Sequence, residues 1–321
     1  MPDCLRSLTA QTCDVGFEIV VVDNGSEDAT AQVVRDWSGR DDRVRSVEEP
    51  QVGLSRAKNA GIRIARGHLL LFTDDDVVVE DGWIAAYVDF FGRPRSRAVM
   101  AGGPVFPVPH DLLTWPPWVY DTTRPDLPCL YYGEEERPLR RFEWLWGANM
   151  AAPRDLLDEL GAFREGLGRG ARDETYEDVD LADRFRRAGG EVWYCPAAPV
   201  YHRVDPNLSR PRHLLLTAFN RGGNDRVKIL HGNYFEPACR VPTSTVAAAF
   251  ALPCMLAVLT VSATIFRLTR RPHAFDLARR FAWGAGWCMW ALAGESPRRR
   301  ARVVRWVVLR VRQGALRLTP A

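Results

Sequence analysis

Apolar and polar positions in the first 80 residues alternate between two patterns. Residues 17–30 (FEIVVVDNGSEDAT) and 68–76 (HLLLFTDDD) are short apolar runs that end in polar turns, which is typical of buried strands. Residues 54–67 (LSRAKNAGIRIARG) have apolar residues at helical spacing and end in glycine, which predicts a helix. Residues 1–11 and 29–37 are predicted as helices too. Strands that alternate with helices predict an α/β fold with a mostly parallel sheet flanked by helices.

Polar side chains collect where the predicted strands end. In a parallel sheet, ligands bind at the carboxyl ends of the strands, and the segments DNGS (23–26) and DDD (74–76) both fall there. Three adjacent carboxylates repel one another unless a cation, a partner or solvent relieves them. They indicate either a cation site or a solvated acidic turn.

The middle of the chain is less regular. Residues 100–145 are rich in proline, tryptophan and tyrosine and predict either a binding loop or a surface excursion over the sheet. Residues 177–187 have helical spacing, and Gly189 and Gly190 end the predicted helix. Glu177 and Asp178 then lie at its N-terminus, where they serve either as caps or in chemistry.

The C-terminal third differs from the rest in composition. Residues 244–266 contain no charged residue. This segment is long enough for a membrane-crossing helix and also fits a buried core helix. Residues 281–294 form a shorter, tryptophan-rich apolar segment that we expect at a membrane interface. A hairpin around Pro253 would keep both ends of this region on the same side of the membrane. The predicted fold therefore has C-terminal apolar and basic helices.

The charge distribution and the cysteines indicate which binding partners and which compartment to expect. Thirteen arginines and two acids lie from Arg267 onward, whereas the preceding part has 30 basic and 38 acidic residues. A basic tail interleaved with apolar runs, and without a nucleic-acid-binding motif, indicates membrane lipids and no nucleic acid. Seven cysteines without a CxxC pair favour a reducing compartment.

Five motifs, in this order and spacing, resemble the family 2 glycosyltransferases, which have the GT-A fold. They are EIVVVDNGSEDAT, GLSRAKNAGIRIARG, LLLFTDDDVVVEDGW, GANMAAPRDLLDELGAF and YEDVDLADRFRRAGGEVWYCPAAPVYH. The resemblance covers residues 1–235, which we expect to form the catalytic domain, with a membrane-associated helical region over 236–321. It implies a nucleotide-diphospho-sugar donor and a bound Mg²⁺ or Mn²⁺.

The resemblance also implies roles for individual residues. Those expected to contact the nucleotide-sugar are Asp23, Asn24, Ser26, Lys58, Asn59, Asp74 and Asp75. The metal ligands are Asp74, Asp76 and His202, with Asp75 as an alternative to either aspartate. Trp146, Gly147 and Asn149 would line the acceptor side.

Catalysis is implied for Asp178, as the general base, and for its neighbour Glu177. A carboxylate at a helix N-terminus is expected to have a low pKa. Lys58 alternatively forms a solvated helix charge, and His202 a packed neutral histidine.

One departure from the family concerns the start of the chain. Relatives begin with a central strand and a turn before the helix that here begins almost at Met1. We expect either that the start codon is assigned too far downstream or that the protein is a compromised version of the family.

The sequence predicts an inverting, metal-dependent transferase on the cytosolic face of a bacterial-type cell membrane. It would move a sugar onto a glycan or lipid-linked acceptor in the synthesis of cell envelope polysaccharide. Two other classes stay open: a sugar-phosphate nucleotidyltransferase, and a non-catalytic membrane-anchored binding protein with the same fold.

Overall fold

A computed structural model describes most of the chain. The described residues are 1–94, 97–109, 115, 119, 127, 129–140, 143–168, 177–219, 245–269 and 272–293. They divide into two compact units, Met1–Val108 with Cys129–Arg203, and Pro109–Pro128 with Val204–Ala321. The predicted domain boundary at residue 235 lies outside the described residues and stays a prediction.

The first unit contains ten strands and six helices among its described residues. The strands are β1 (Ile19–Asp23), β2 (Val44–Glu48), β3 (Leu69–Thr73), β4 (Val77–Val79), β5 (Ala98–Gly102), β6 (Val105–Pro109), β7 (Arg137–Pro138), β8 (Asn149–Pro153), β9 (Glu191–Tyr194) and β10 (Val200–Val204), the last residues of β6 and β10 belonging to the second unit. The helices are α1 (Pro2–Thr9), α2 (Thr30–Ser38), α3 (Leu54–Ile64), α4 (Trp83–Gly92), α5 (Arg154–Leu160) and α6 (Glu177–Arg187). The predicted strands and helices of the first 80 residues are confirmed.

The strands form three sheets, and most of the pairs are antiparallel. The sheet orders are β1-β2, β4-β10-β6 and β3-β8-β5-β9-β7. Only β1–β2 and β5–β9 are parallel among the described pairings; β8 runs antiparallel to both β3 and β5. The α/β class is confirmed. The prediction of a mostly parallel sheet is wrong, because β8, from a distant part of the chain, runs opposite to its neighbours β3 and β5. Among the described residues, β1 pairs with β2 alone and β3 with β8 alone.

The core of the first unit lies between the sheets and the helices. Its largest fully buried side chains include Tyr87 and Phe90 of α4, Met150 of β8 and Phe185 of α6. Three of the four acidic residues of α6 lie in its first turn and its three arginines in the last turn, which complements the helix dipole. Gly189, with φ of +89°, follows the helix end as predicted.

The second unit contains a helix at 211–219 (α7), α8 (Thr245–Thr269) and α9 (Pro272–Ala293). The rings of Phe266 and Phe275 lie 4.7 Å apart, so α8 and α9 pack against each other. The predicted hairpin around Pro253 is wrong, since α8 continues through that proline. Trp287 is 1% exposed and packs inside this unit, whereas the membrane-interface position expected for residues 281–294 stays a prediction.

Candidate active site

Two carboxylates and an imidazole come together at the end of β3. Asp74 follows the last residue of β3, Asp76 precedes β4, and His202 of β10 pairs with the first residue of β4. One ligand atom from each of Asp74, Asp76 and His202 lies within 4.8 Å of the other two. His202 Nε2 is 3.5 Å from Asp76 Oδ1. The pairing of β10 with β4 therefore brings His202, which is distant in sequence, to the acidic turn.

The residues of this cluster fit a divalent cation. Carboxylate oxygens and an imidazole nitrogen at these separations match the donor types and ligand spacing of a small metal ion. Partial burial, and then the neighbouring Asp74 and Asp75, raise the pKa of Asp76, whereas His202 opposes the rise. A cation at this position would relieve that repulsion. Asp75, at 66% side-chain exposure, is not one of the three converging residues.

Helix α1 fixes the acidic turn from the N-terminal side. Cys4 Sγ of this helix donates a hydrogen bond of 3.5 Å to the carbonyl of Asp74. Asp3 forms an ion pair with Arg203, whose backbone N–H donates to the carbonyl of Asp76 at 3.0 Å. Both hydrogen bonds are accepted by backbone carbonyls of the turn, which leaves the carboxylates of Asp74 and Asp76 available.

Asp178 lies at the start of α6 and is tied to the same end of the central sheet. The N–H of Gly147 donates to Asp178 Oδ2 at 2.9 Å, and the N–H of Val179 donates to Oδ1 at 2.8 Å. The register Thr73–Asn149 between β3 and β8 places Gly147, just before β8, at the end of β3 where Asp74 begins. The predicted base and the candidate cation site therefore lie at the same end of the sheet.

The expected low pKa of Asp178 is wrong. Burial, and then the adjacent Glu177, raise the pKa of this carboxyl, although Lys58 and the two backbone donors act in the opposite direction. The helix N-terminus alone would favour the carboxylate form, but here desolvation is the larger effect. A carboxyl with a raised pKa is better suited to accept a proton at neutral pH.

The predicted nucleotide-binding residues fall into two groups. At the end of β1, Asp23 Oδ1 accepts from the N–H of Ser26 at 2.9 Å, and Ser26 is exposed. Asn24 uses its amide to join this turn to the next loop, donating to the carbonyls of Glu49 and Gln51 and accepting from the N–H of Gly53.

In α3, Lys58 and Asn59 already have protein partners. Lys58 Nζ lies 3.0 Å from Glu177 Oε1, and Asn59 exchanges two hydrogen bonds with the backbone of Phe163. The structure thus brings Glu177 to Lys58. The alternative prediction, that Lys58 is a solvated charge on the helix, is wrong, because its side chain is only 8% exposed.

The predicted acceptor residues do not behave alike. Asn149 is fully buried; its Oδ1 accepts from Trp83 Nε1 and the Tyr87 hydroxyl, and its Nδ2 donates to the carbonyls of Pro104 and Ala198. With all these groups satisfied inside the core, the acceptor contact predicted for Asn149 is wrong.

Trp146 is partly buried, and Gly147 is buried and bonds Asp178. Sequence reasoning missed Arg203, Ser55 and Phe163 near the site. Arg203 directly follows His202, which was the available signal.

The α/β fold thus carries a candidate site that combines an acidic turn fitting a cation with a partly buried carboxylate. Residues 1–153 match the family model "Glycosyl transferase family 2". Residues 1–153 are thus similar to the family 2 glycosyltransferases, and this similarity supports a glycosyltransferase activity that uses a nucleotide-sugar donor.

Two similar proteins illustrate the range of the relatives. Glucosyl-dolichyl phosphate glucuronosyltransferase of Haloferax volcanii is 26% identical over 235 residues, which cover 70% of this chain and 71% of the relative. Validoxylamine A glucosyltransferase of Streptomyces hygroscopicus subsp. jinggangensis is 28% identical over 208 residues, which cover 58% of this chain and 48% of the relative. The chain thus spans about half the length of the second relative.

Among solved structures, the chain is similar to a mannosyltransferase from Pyrobaculum calidifontis in complex with GDP-Man and Mn²⁺. The identity is 18%, the TM-score is 0.49, and the alignment covers 96% of this chain and 76% of that one.

Proposed function

We propose that this chain is an inverting, divalent-metal-dependent glycosyltransferase that moves a sugar from a nucleotide-diphospho-sugar to a glycan or lipid-linked acceptor. The observation that carries the proposal is the convergence of Asp74, Asp76 and His202 at the sheet end to which Asp178 is also tied. A cation site and a carboxylate base are the two parts that such a displacement requires.

Asp74, Asp76 and His202 would hold Mg²⁺ or Mn²⁺. The histidine ligand favours Mn²⁺, because Mg²⁺ prefers oxygen ligands. When bound, the cation neutralises charge on the departing nucleoside diphosphate. The Cys4 thiol and the N–H of Arg203 hold the backbone carbonyls of Asp74 and Asp76 and leave the carboxylate oxygens of both residues for the cation.

Asp178 would take the proton from the acceptor hydroxyl as that oxygen attacks the sugar. A single displacement of this kind inverts the configuration at the anomeric carbon. The two backbone donors, Gly147 and Val179, fix the carboxylate orientation, and burial keeps its affinity for a proton high. Asp23 and Ser26, at the carboxyl end of β1, are proposed to contact the nucleotide.

Product analysis tests this function against the two alternatives. Purified full-length chain is incubated with UDP-, GDP- or dTDP-sugars and Mn²⁺, with and without EDTA, and the released nucleotide is identified. A transferase releases nucleoside diphosphate in a metal-dependent way, and the anomeric configuration read by NMR is inverted. Release of pyrophosphate from a sugar phosphate and nucleoside triphosphate would indicate a nucleotidyltransferase instead. Donor binding without turnover would indicate a binding protein.

A lipid-linked acceptor at the cytosolic face of a membrane is the acceptor class we favour. In α8, Ala251–Thr269 is long and apolar enough to span a membrane, with a mean hydropathy of 1.8, and 22% of it is buried. Val261, Ile265 and Leu268 are exposed on one side of this helix. The name of the Haloferax relative describes a dolichyl-phosphate-linked acceptor, whereas the Streptomyces relative acts on validoxylamine A.

A further inference from the structure

A buried ion pair links two helices beside the proposed base. Lys58 of α3 and Glu177 of α6 are 119 residues apart in sequence, and their charged atoms lie 3.0 Å apart. Their side chains are only 8% and 9% exposed. Burying two charges is costly, so a pair retained at this depth beside a reactive carboxyl suggests a role beyond stability.

Two glycines leave room for this pair. A methyl group at Gly147 would overlap Lys58 Nζ, so the ammonium lies directly over the Cα of Gly147. The N–H of the same glycine is the donor to Asp178 Oδ2. On the other side, a methyl group at Gly168 would come within 3.3 Å of Glu177 Oε2. Lys58 therefore lies against the peptide group that binds the proposed base.

The position of Lys58 is fixed by its own helix. One turn earlier, Ser55 Oγ donates to the carbonyl of Leu167 at 2.7 Å. The next residue, Asn59, holds the backbone of Phe163 through two hydrogen bonds, and Lys58 Nζ lies 5.0 Å from the centre of the Phe163 ring. A cation facing an aromatic ring gains further attraction. Helix α3 thus holds the ammonium in place.

We propose that Lys58 is a positioning residue that tunes the base Asp178 across the Gly147 peptide group, and that Glu177 is the counter-charge of Lys58 rather than a second catalytic acid. This inference rests on the proposed function of Asp178. The charged groups that face Asp178 among the described residues are Glu177 from its own helix and Lys58 from α3, and the other partners are the backbone N–H groups of Gly147 and Val179.

The two charges act on Asp178 in opposite directions. The ammonium of Lys58 favours the carboxylate form of Asp178, and the carboxylate of Glu177 disfavours it. Lys58→Met is expected to move the acid limb of the kcat profile to higher pH, because Asp178 then loses a proton less readily. Glu177→Gln is expected to move the same limb to lower pH, because the unpaired ammonium acts on Asp178 alone.

The experiment measures transfer at saturating donor between pH 5 and 9 for full-length wild type, Lys58→Met and Glu177→Gln. At the acid end, kcat of Lys58→Met should fall about tenfold below wild type and recover at the alkaline end. Arg137→Met is the matched control, since Arg137 forms a similarly buried pair with Glu143 at 2.7 Å. This control should lose thermal stability without moving the acid limb.

The outcomes separate the inference from the proposed function. Opposite shifts of the two acid limbs, with unchanged KM for the donor, support tuning of Asp178. Equal losses of kcat at every pH in both variants, with no shift, would show a merely structural pair and overturn the inference. If Asp178→Asn retains full transfer, the proposed function of Asp178 is itself contradicted, whatever the behaviour of Lys58.

Discussion

Replacing Asn149 by alanine should destabilise the catalytic unit rather than alter acceptor binding alone. The substitution removes four hydrogen bonds of 2.8–2.9 Å, to Trp83 Nε1, the Tyr87 hydroxyl and the carbonyls of Pro104 and Ala198. Each bond contributes about 1 kcal/mol, so the loss is about 4 kcal/mol in total. For a unit of this size, that lowers the melting temperature by on the order of 10 °C.

Thermal unfolding followed by tryptophan fluorescence measures the effect, since Trp83 is itself a partner of Asn149. Asn207→Ala serves as the control, because the exposed Asn207 side chain should be replaceable with little change in the melting temperature. An Asn149→Ala protein that melts like wild type but has lost affinity for the acceptor would refute this reasoning. It would restore the role in acceptor binding predicted from the sequence.

Three further substitutions or treatments follow from the structure. Gly147→Ala should displace the Lys58 ammonium and shift the acid limb of the kcat profile as Lys58→Met does. The double variant with both substitutions should show no further shift, whereas additive shifts would contradict the inferred contact between Gly147 and Lys58. Asp178→Asn should raise the melting temperature at pH 7, because the pKa of Asp178 is raised in the folded state and its charged form therefore costs stability above the pH where the unfolded carboxyl ionises. This gain in stability should fade as the pH falls towards 4. A variant that is less stable than wild type at pH 7 would contradict the prediction. Extraction of membranes containing the full chain should need detergent rather than high salt, because Ala251–Thr269 is apolar; release by salt alone would exclude insertion.

The strands and the acidic turn could be predicted because their signal is local. Apolar runs predicted β1 and β3, and the acidic residues directly after β3 predicted the candidate cation site. Strand direction was not predictable in this way, since β8 reaches β3 from a distant segment and an apolar run carries no information on its direction.

The role of a polar side chain was harder to predict when its partners are remote in sequence. Lys58 and Asn59 have helical spacing typical of exposed residues, yet their partners Glu177 and Phe163 lie more than 100 positions away. The pKa of Asp178 was predicted in the wrong direction because the sequence shows the helix terminus and not the burial. The assignments that depend on burial therefore needed the structure.

The division of roles between the acidic turn and Asp178 is tested most directly by comparing donor affinity with transfer in two single variants. Titration calorimetry with the nucleotide-sugar that wild type uses, in the presence of Mn²⁺, gives the affinity, and product release gives the rate. Asp76→Ala should lose the metal-dependent part of donor binding, since Asp76 is one of the three converging ligands. Asp178→Asn should bind donor like wild type and transfer on the order of 10²- to 10⁴-fold more slowly, since the base acts only on the acceptor. Equal loss of donor affinity in both variants would contradict the division of roles between the acidic turn and Asp178.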